Sequence, residues 1–119
     1  MNIGISFYFG YKLKPKVSAK MIKESGFDCV IANPDKKYNK QNGTIKSQMK
    51  LFKKYNIKLS SLHMQYKNED LIHFWLDDKI GDKLEKTIKR DLKTAKKYGF
   101  SCVVIHLDGE YSEIGEKRL

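Results

Sequence analysis

A unit in which the end of a helix leads directly into a strand occurs three times, and it constrains the fold more than any other feature. Each unit has lysine near the helix end, then a residue suited to a left-handed conformation, a large apolar residue and a short apolar run. The left-handed positions are Gly26, Asn56 and Gly99. Such residues close helices, and cations are favoured in the last helical turn. Each unit therefore predicts a helix, its stop and a strand.

Apolar residues recur at three- and four-residue steps before each stop, which is typical of amphipathic helices. A residue able to cap a helix precedes each apolar series. With Ser18, Thr44 and the Asp82–Glu85 pair as starts, the spacing predicts helices over about 18–25, 44–55 and 82–98, and Ser112 opens a fourth. An opening strand over about 2–7 completes the order β-α-β-α-β-α-β.

This alternation predicts an α/β fold with a parallel sheet, right-handed crossovers, about four strands and three to four helices, in a single domain over residues 1–119. A closed (β/α)8 barrel needs eight strands and roughly 250 residues. The repeats therefore amount either to a small open sheet or to half of a barrel. A half barrel exposes its strand edges, so we expect it to aggregate, to pair with another half as a homo-oligomer, or to require further sequence.

Lysine dominates the charged residues. The chain has 24 Lys and Arg against 14 Asp and Glu, a formal net charge of +10, yet arginine occurs only at positions 90 and 118. A nucleic-acid footprint is usually a concentrated, arginine-rich patch with interleaved aromatic residues, whereas these lysines are spread over almost every segment. We therefore expect a solvated lysine surface and do not expect nucleic acid as the partner.

The sequence carries no pattern that directs it to a membrane. No run approaches the roughly 18 apolar residues of a membrane span, and Met1 leads into Asn-Ile-Gly rather than into a basic segment followed by an apolar one. We predict no membrane partner and a cytoplasmic location. Cys29 and Cys102 lie in separate β-branched runs and form no disulfide framework or CxxC site, so we expect both to be buried as small hydrophobic side chains.

Two histidines follow neighbouring strands, where functional residues of parallel α/β folds collect. His63 ends the third predicted strand and His106 ends the fourth. Imidazole binds zinc and similar metals, and it equally hydrogen-bonds a sugar hydroxyl or a phosphate. We call this end of the predicted sheet the rim. A metal site needs further ligands, and only Asp35 and Asp108 are carboxylates near the rim in sequence. Asp108 precedes a glycine and also suits a turn. We predict a site around His63 and His106.

Aromatic residues add to this rim. Tyr8 follows the first strand, and Trp75 lies with His73 in a long segment after the third strand. That segment is placed to cover the rim, where Trp75 either lines a pocket or anchors the loop. We include Tyr8 and Trp75 among the predicted substrate-binding residues. The motifs GxGxxG, GxxxxGK(S/T), GxSxG and HExxH are absent, so nucleotide-binding loops and serine hydrolysis have no sequence support.

The order and spacing of several segments carry a family resemblance that covers nearly the whole chain. The segments are Ile3-Gly4-Ile5-Ser6, Lys23 to Asp28, Leu59 to Tyr66, Asn68 with Leu76-Asp77, and Ala95 to Gly99 leading into Val103 to His106. In these segments the chain resembles the N-terminal half of the xylose-isomerase-like TIM-barrel superfamily, which includes sugar-phosphate isomerases and epimerases and endonuclease IV-type enzymes.

The resemblance implies a site and a cofactor. It implies that His63 and His106 face a sugar or sugar-phosphate substrate, with Trp75 as an apolar wall, and that in endonuclease-like members these two histidines bind zinc. It also implies a divalent metal ion (Mn, Mg, Co or Zn) held mainly by carboxylates of later strands, together with an acid/base pair beyond Leu119. We therefore expect metal-assisted proton transfer next to a carbonyl in an intact barrel, and negligible isomerase activity from this chain alone.

Two alternatives remain open from the sequence. One is an endonuclease IV-like zinc phosphodiesterase, which the net charge and the two histidines favour; the first strand, Gly4-Ile5-Ser6-Phe7, lacks the histidine and glycine-rich loop typical of that branch. The other is a non-catalytic half barrel that associates with itself or with another protein through its open edges.

Overall fold

Four parallel strands form a single sheet in the order in which they occur along the chain. The computed structural model describes residues 2–9, 12–33, 42–64 and 66–119. The sheet order is β1-β2-β3-β4, and each neighbouring pair is parallel. The strands are β1 (Gly4–Ser6), β2 (Cys29–Ala32), β3 (Lys58–His63) and β4 (Cys102–Val104).

Helices alternate with these strands. The described residues form four α-helices and one 310 helix: α1 (Pro15–Glu24), α2 (Ile45–Lys54), the 310 helix (Asn68–Trp75), α3 (Lys79–Tyr98) and α4 (Glu113–Arg118). The prediction of an α/β fold with four parallel strands is confirmed. Its four βα units are the number that half of an eight-stranded barrel contains. No helix in these four ranges combines the length and hydrophobicity that crossing a bilayer requires.

The three predicted helix stops are confirmed. Gly26, Asn56 and Gly99 all have positive φ, at 80°, 51° and 78°. The left-handed conformation lets the chain leave each helix abruptly and enter the next strand within a few residues. Ile57 and Phe100, which follow two of these stops, are buried in the core between sheet and helices.

Two of the predicted helix starts are wrong and two are confirmed. Helix α1 begins at Pro15 rather than near Ser18, because proline fits the first helical position and Ser18 is buried. Helix α3 begins earlier than its apolar pattern indicates, because the side chain of Asp78 accepts hydrogen bonds from the backbone N–H groups at 80 and 81. Thr44 and Ser112 cap α2 and α4 as predicted.

The larger core lies on the helix-covered side of the sheet. Val30 and Leu62 project from the central strands and are fully buried. Phe7 and Phe52 meet edge to face, with ring centroids 4.9 Å apart, and join β1 to α2. Because side chains alternate across a strand, the residues next to these point to the opposite side of the sheet.

A smaller core joins the 310 helix to α3 and supports the carboxyl ends of β3 and β4. It consists of Met64, Phe74, Leu84 and Ile88. Arg118, whose side chain is 5% exposed, fixes α4 onto this unit by donating to the carbonyl oxygens of residues 73, 74 and 76. The 310 helix is therefore held by the smaller core on one side and by Arg118 of α4 on the other.

The described helices leave the other side of the sheet uncovered. We call it the open face: Gly4, Cys29, Ile31, Cys102 and Val104, none of which belongs to either core. The prediction of two buried cysteines is therefore wrong. Cys102 is exposed and Cys29 is half-buried, because both alternate away from the helices.

Candidate functional site

The structure brings the two predicted strand-end histidines into direct contact. His63 is the last residue of β3 and pairs in register with Val104, and His106 follows Val104 by two residues on the same side of the strand. The Nε2 atoms of His63 and His106 are 3.1 Å apart, and the ring centroids are 5.1 Å apart. We call these two residues the histidine pair.

The proton arrangement of the histidine pair follows from a third contact. The Nδ1 atom of His63 lies 2.8 Å from the carbonyl oxygen of Met64. A carbonyl oxygen only accepts, so Nδ1 carries the proton, and in neutral His63 the Nε2 atom is then an acceptor. When both imidazoles are neutral, His106 donates from Nε2 across the 3.1 Å contact. The pair presents a donor and an acceptor side by side.

Tyr66 is a third member of the site; the sequence placed it after the third strand but gave it no role. Its ring centroid lies 6.4 Å from that of His63 and 6.2 Å from that of His106. Burial raises the pKa of Tyr66, and a hydrogen bond from the backbone N–H of His106 opposes that rise only in part. The phenol is therefore neutral and keeps its proton for donation. Its position three residues after His63 is the signal that could have identified it.

Other predicted rim residues lie apart from the histidine pair. Tyr8 is exposed at the end of β1, two strands from His63, and its backbone N–H donates to Ser6. Trp75 meets Phe74 edge to face and Tyr111 at a tilt, with ring centroids 5.3 and 5.7 Å away. Within the described chain, the contacts of Trp75 are those of an anchor between the 310 helix and the segment before α4.

The carboxylates considered for the rim do not join the histidines among the residues described. Asp108 accepts from the backbone N–H of Gly109, which has φ of 102°, and so forms the turn after β4. Asp35 lies outside the described residues. His73 is hydrogen-bonded to Asp78 at 2.7 Å, at the start of α3, and serves the helix cap rather than the rim.

The described residues do not fit the carboxylate-rich metal site that the resemblance implies. Two imidazole nitrogens converge at 3.1 Å, but the described ranges contain no cluster of three or more His, Cys, Asp or Glu side chains able to hold a metal ion. Mg²⁺ and Mn²⁺ require several oxygen ligands, and zinc commonly takes three or four protein ligands. The histidine pair supplies two nitrogen donors, which is fewer than either kind of metal site requires.

The fold and the histidine pair define an α/β protein of parallel βα units with a candidate site at the carboxyl ends of its strands. No protein-family model matches the chain, and no curated protein matches it either.

Proposed function

We propose that this chain contributes four βα units to a barrel of the sugar-phosphate isomerase and epimerase kind, in which the histidine pair binds a sugar or sugar phosphate. The observation that carries the proposal is the 3.1 Å contact between Nε2 of His63 and Nε2 of His106 at the carboxyl ends of adjacent parallel strands. Ligands of parallel α/β folds bind at this end of the sheet. We place the protein in the cytoplasm, where such substrates occur.

The donor and acceptor of the histidine pair match the chemistry of a sugar. An aldose or ketose carries a carbonyl oxygen, which only accepts, next to a hydroxyl group, which donates. A sugar that enters between the two rings replaces the hydrogen bond that joins them: the Nε2–H of His106 then donates to the carbonyl oxygen, and the lone pair on Nε2 of His63 accepts from the hydroxyl. These contacts bind and orient the carbonyl and the neighbouring hydroxyl, and the resemblance implies that a separate acid/base pair moves the carbon-bound proton.

Tyr66 supports this assignment. A neutral phenol beside the two imidazoles adds a second donor without adding negative charge, which suits a ligand bearing phosphate. Met64, which is buried directly after His63, fixes the imidazole through its carbonyl oxygen and keeps the acceptor nitrogen directed toward His106. The site is thus built on the smaller core rather than on a loop.

A histidine-resolved NMR titration tests the proposal. We expect ribose 5-phosphate or fructose 6-phosphate to shift the imidazole signals of His63 and His106, and His106→Ala to weaken binding by about tenfold, as expected for the loss of one strong hydrogen bond. His73→Asn is the matched control, since His73 is engaged by Asp78 and should leave binding unchanged. Inorganic phosphate alone should shift the signals less. Equal binding by wild type and His106→Ala contradicts the proposal.

One observation favours a zinc phosphodiesterase as the second candidate. Zinc-binding histidines commonly donate their other ring N–H to a carbonyl, as His63 does to Met64. Zinc binding that broadens or shifts both imidazoles, together with salt-dependent binding of double-stranded DNA, would favour this candidate. Sugar-phosphate binding without zinc would favour the first.

A further inference from the structure

The open face and both edges of the sheet lack a covering element among the described residues. Strands β1 and β4 are the two ends of the sheet order, so within the described ranges each has one side without a neighbouring strand. A hollow of about 470 Å³ lies at the amino ends of the strands and is lined by residues that include Gly4, Cys29, Ile31 and Lys58. Unpaired parallel edges on both sides of one sheet are suited to closure by further strands.

Helix α1 presents an apolar flank toward the free edge of β1. Ser18, Ala19 and Ile22 face the core. The ammonium of Lys23 donates to the carbonyl oxygen of Asn56 at the end of α2, so the Lys23 side of α1 faces α2. Val17 and Met21 lie on the other side of the buried stripe, four residues apart, and are 43% and 44% exposed. Two apolar side chains therefore point past the edge of the sheet.

The two edges carry opposite charge. The segment around α1 holds exposed Lys12, Lys14 and Lys16, while Lys20 is paired with the exposed carboxylate of Glu24 at 3.5 Å. The segment after β4 holds exposed carboxylates at Glu110, Glu113 and Glu116, and of its two cations Arg118 is already paired with Asp82. In right-handed βα units, α1 and α4 both begin at the carboxyl end of the sheet. The basic and acidic segments thus lie at the same level on opposite edges.

We propose that a second copy of this chain closes the sheet into an eight-stranded barrel with two-fold symmetry. Strand β1 of each copy pairs with β4 of the other, which brings the lysines around α1 against the partner's acidic segment and covers Val17 and Met21. The charge complementarity selects a second copy, because each copy carries both the basic and the acidic edge. The association is independent of any sugar ligand.

The oligomeric state of the 119-residue chain tests the proposal. Sedimentation and light scattering at micromolar concentration should give a mass of about twice 13.9 kDa, with weaker association at high salt. Met21→Lys should raise the dimer dissociation constant by at least about tenfold, because the new charge would be buried in the interface. Met21 is 44% exposed within one chain, so the variant should keep its circular dichroism spectrum.

Charge reversal tests which edges of the sheet form the dimer interface. Glu113→Lys should weaken the dimer, and Lys14→Glu in the same chain should restore it, because Lys14 lies on the same side of α1 as Val17 and Met21. The matched control is Glu69→Lys, which makes the same change at an exposed position of the 310 helix and should leave the dimer intact. A monomeric wild-type chain overturns the proposal and leaves a different protein or chain segment as the occupant. A dimer that is insensitive to both Met21→Lys and Glu113→Lys, or an open-ended polymer, also overturns it.

Discussion

The direction of a single hydrogen bond decides how the histidine pair can act. Because the carbonyl of Met64 fixes the proton on Nδ1 of His63, the acceptor of the pair lies on β3 and the donor lies on β4. Two imidazoles in contact could otherwise share a proton either way. The backbone therefore sets which imidazole donates and which accepts before any ligand binds.

Asp78 carries the clearest pH dependence at the residue scale. Hydrogen bonds from the backbone N–H of Gly81 and from His73 lower the pKa of Asp78 below its ordinary value of 3.8. A lowered folded-state pKa contributes stability above the ordinary value, and that contribution is lost as pH falls through the folded-state pKa. We expect Asp78→Asn to be less stable than wild type near neutral pH and to approach it in acid.

Urea unfolding at a series of pH values measures this difference. Asp77→Asn is the control, since Asp77 is the neighbouring exposed carboxylate and should leave the pH dependence as in wild type. If the gap between wild type and Asp78→Asn were constant down to about pH 2, the carboxylate would not be the group that titrates.

At the scale of elements, α4 depends on its docking onto the 310 helix. It has six residues, which is too short to be stable alone. Gly115 lies against the indole of Trp75 without room for a β-carbon, and Ser112 donates to the carbonyl oxygen of Trp75. Together with the three carbonyl contacts of Arg118, these contacts make Trp75 an anchor for the chain after β4.

Gly115→Ala should separate α4 from the 310 helix. The added methyl group overlaps the ring of Trp75, and overpacking of this kind costs roughly 1–3 kcal/mol. Tryptophan fluorescence should report a more exposed indole, and chemical unfolding should report the loss of stability. Lys117→Ala, on the exposed side of the same helix, should change neither. Unchanged fluorescence and stability in Gly115→Ala would show that α4 does not depend on this contact.

At the scale of the whole molecule, both cores lie on one side of the sheet. Central strands β2 and β3 hold Val30 and Leu62, which are fully buried, while the open face and the edges are left for other contacts. Stability is therefore unevenly distributed, and the edges should open more readily than the centre. A partner that pairs with β1 and β4 would remove this difference.

Hydrogen exchange measures that difference directly. We expect amides of β2 and β3 to exchange slowly at every protein concentration, because their partners lie within the chain. Amides on the outer sides of β1 and β4 should become more protected as concentration rises, because a second copy supplies their acceptors. Protection of the edge strands that does not change with concentration would contradict pairing between copies.

The sequence alone determined the features that depend on neighbouring residues. Gly26, Asn56 and Gly99 predicted the helix stops, and the alternation between them predicted the parallel order, since backbone conformation and short crossovers are local properties. The placement of His63 and His106 at strand ends followed from the same pattern. The start of α3 did not, because Asp78 lies outside the apolar periodicity that marks the helix.

Only the tertiary structure decided which distant residues meet. The 3.1 Å histidine contact, the place of Tyr66 beside it, the anchoring contacts of Trp75 and the exposure of Cys102 depend on how strands twist and helices pack. For two residues 40 or more positions apart, the local sequence around each does not indicate how far apart they lie in space. Their contacts are set by the packing of two cores on one side of the sheet, which the sequence pattern allows but does not specify.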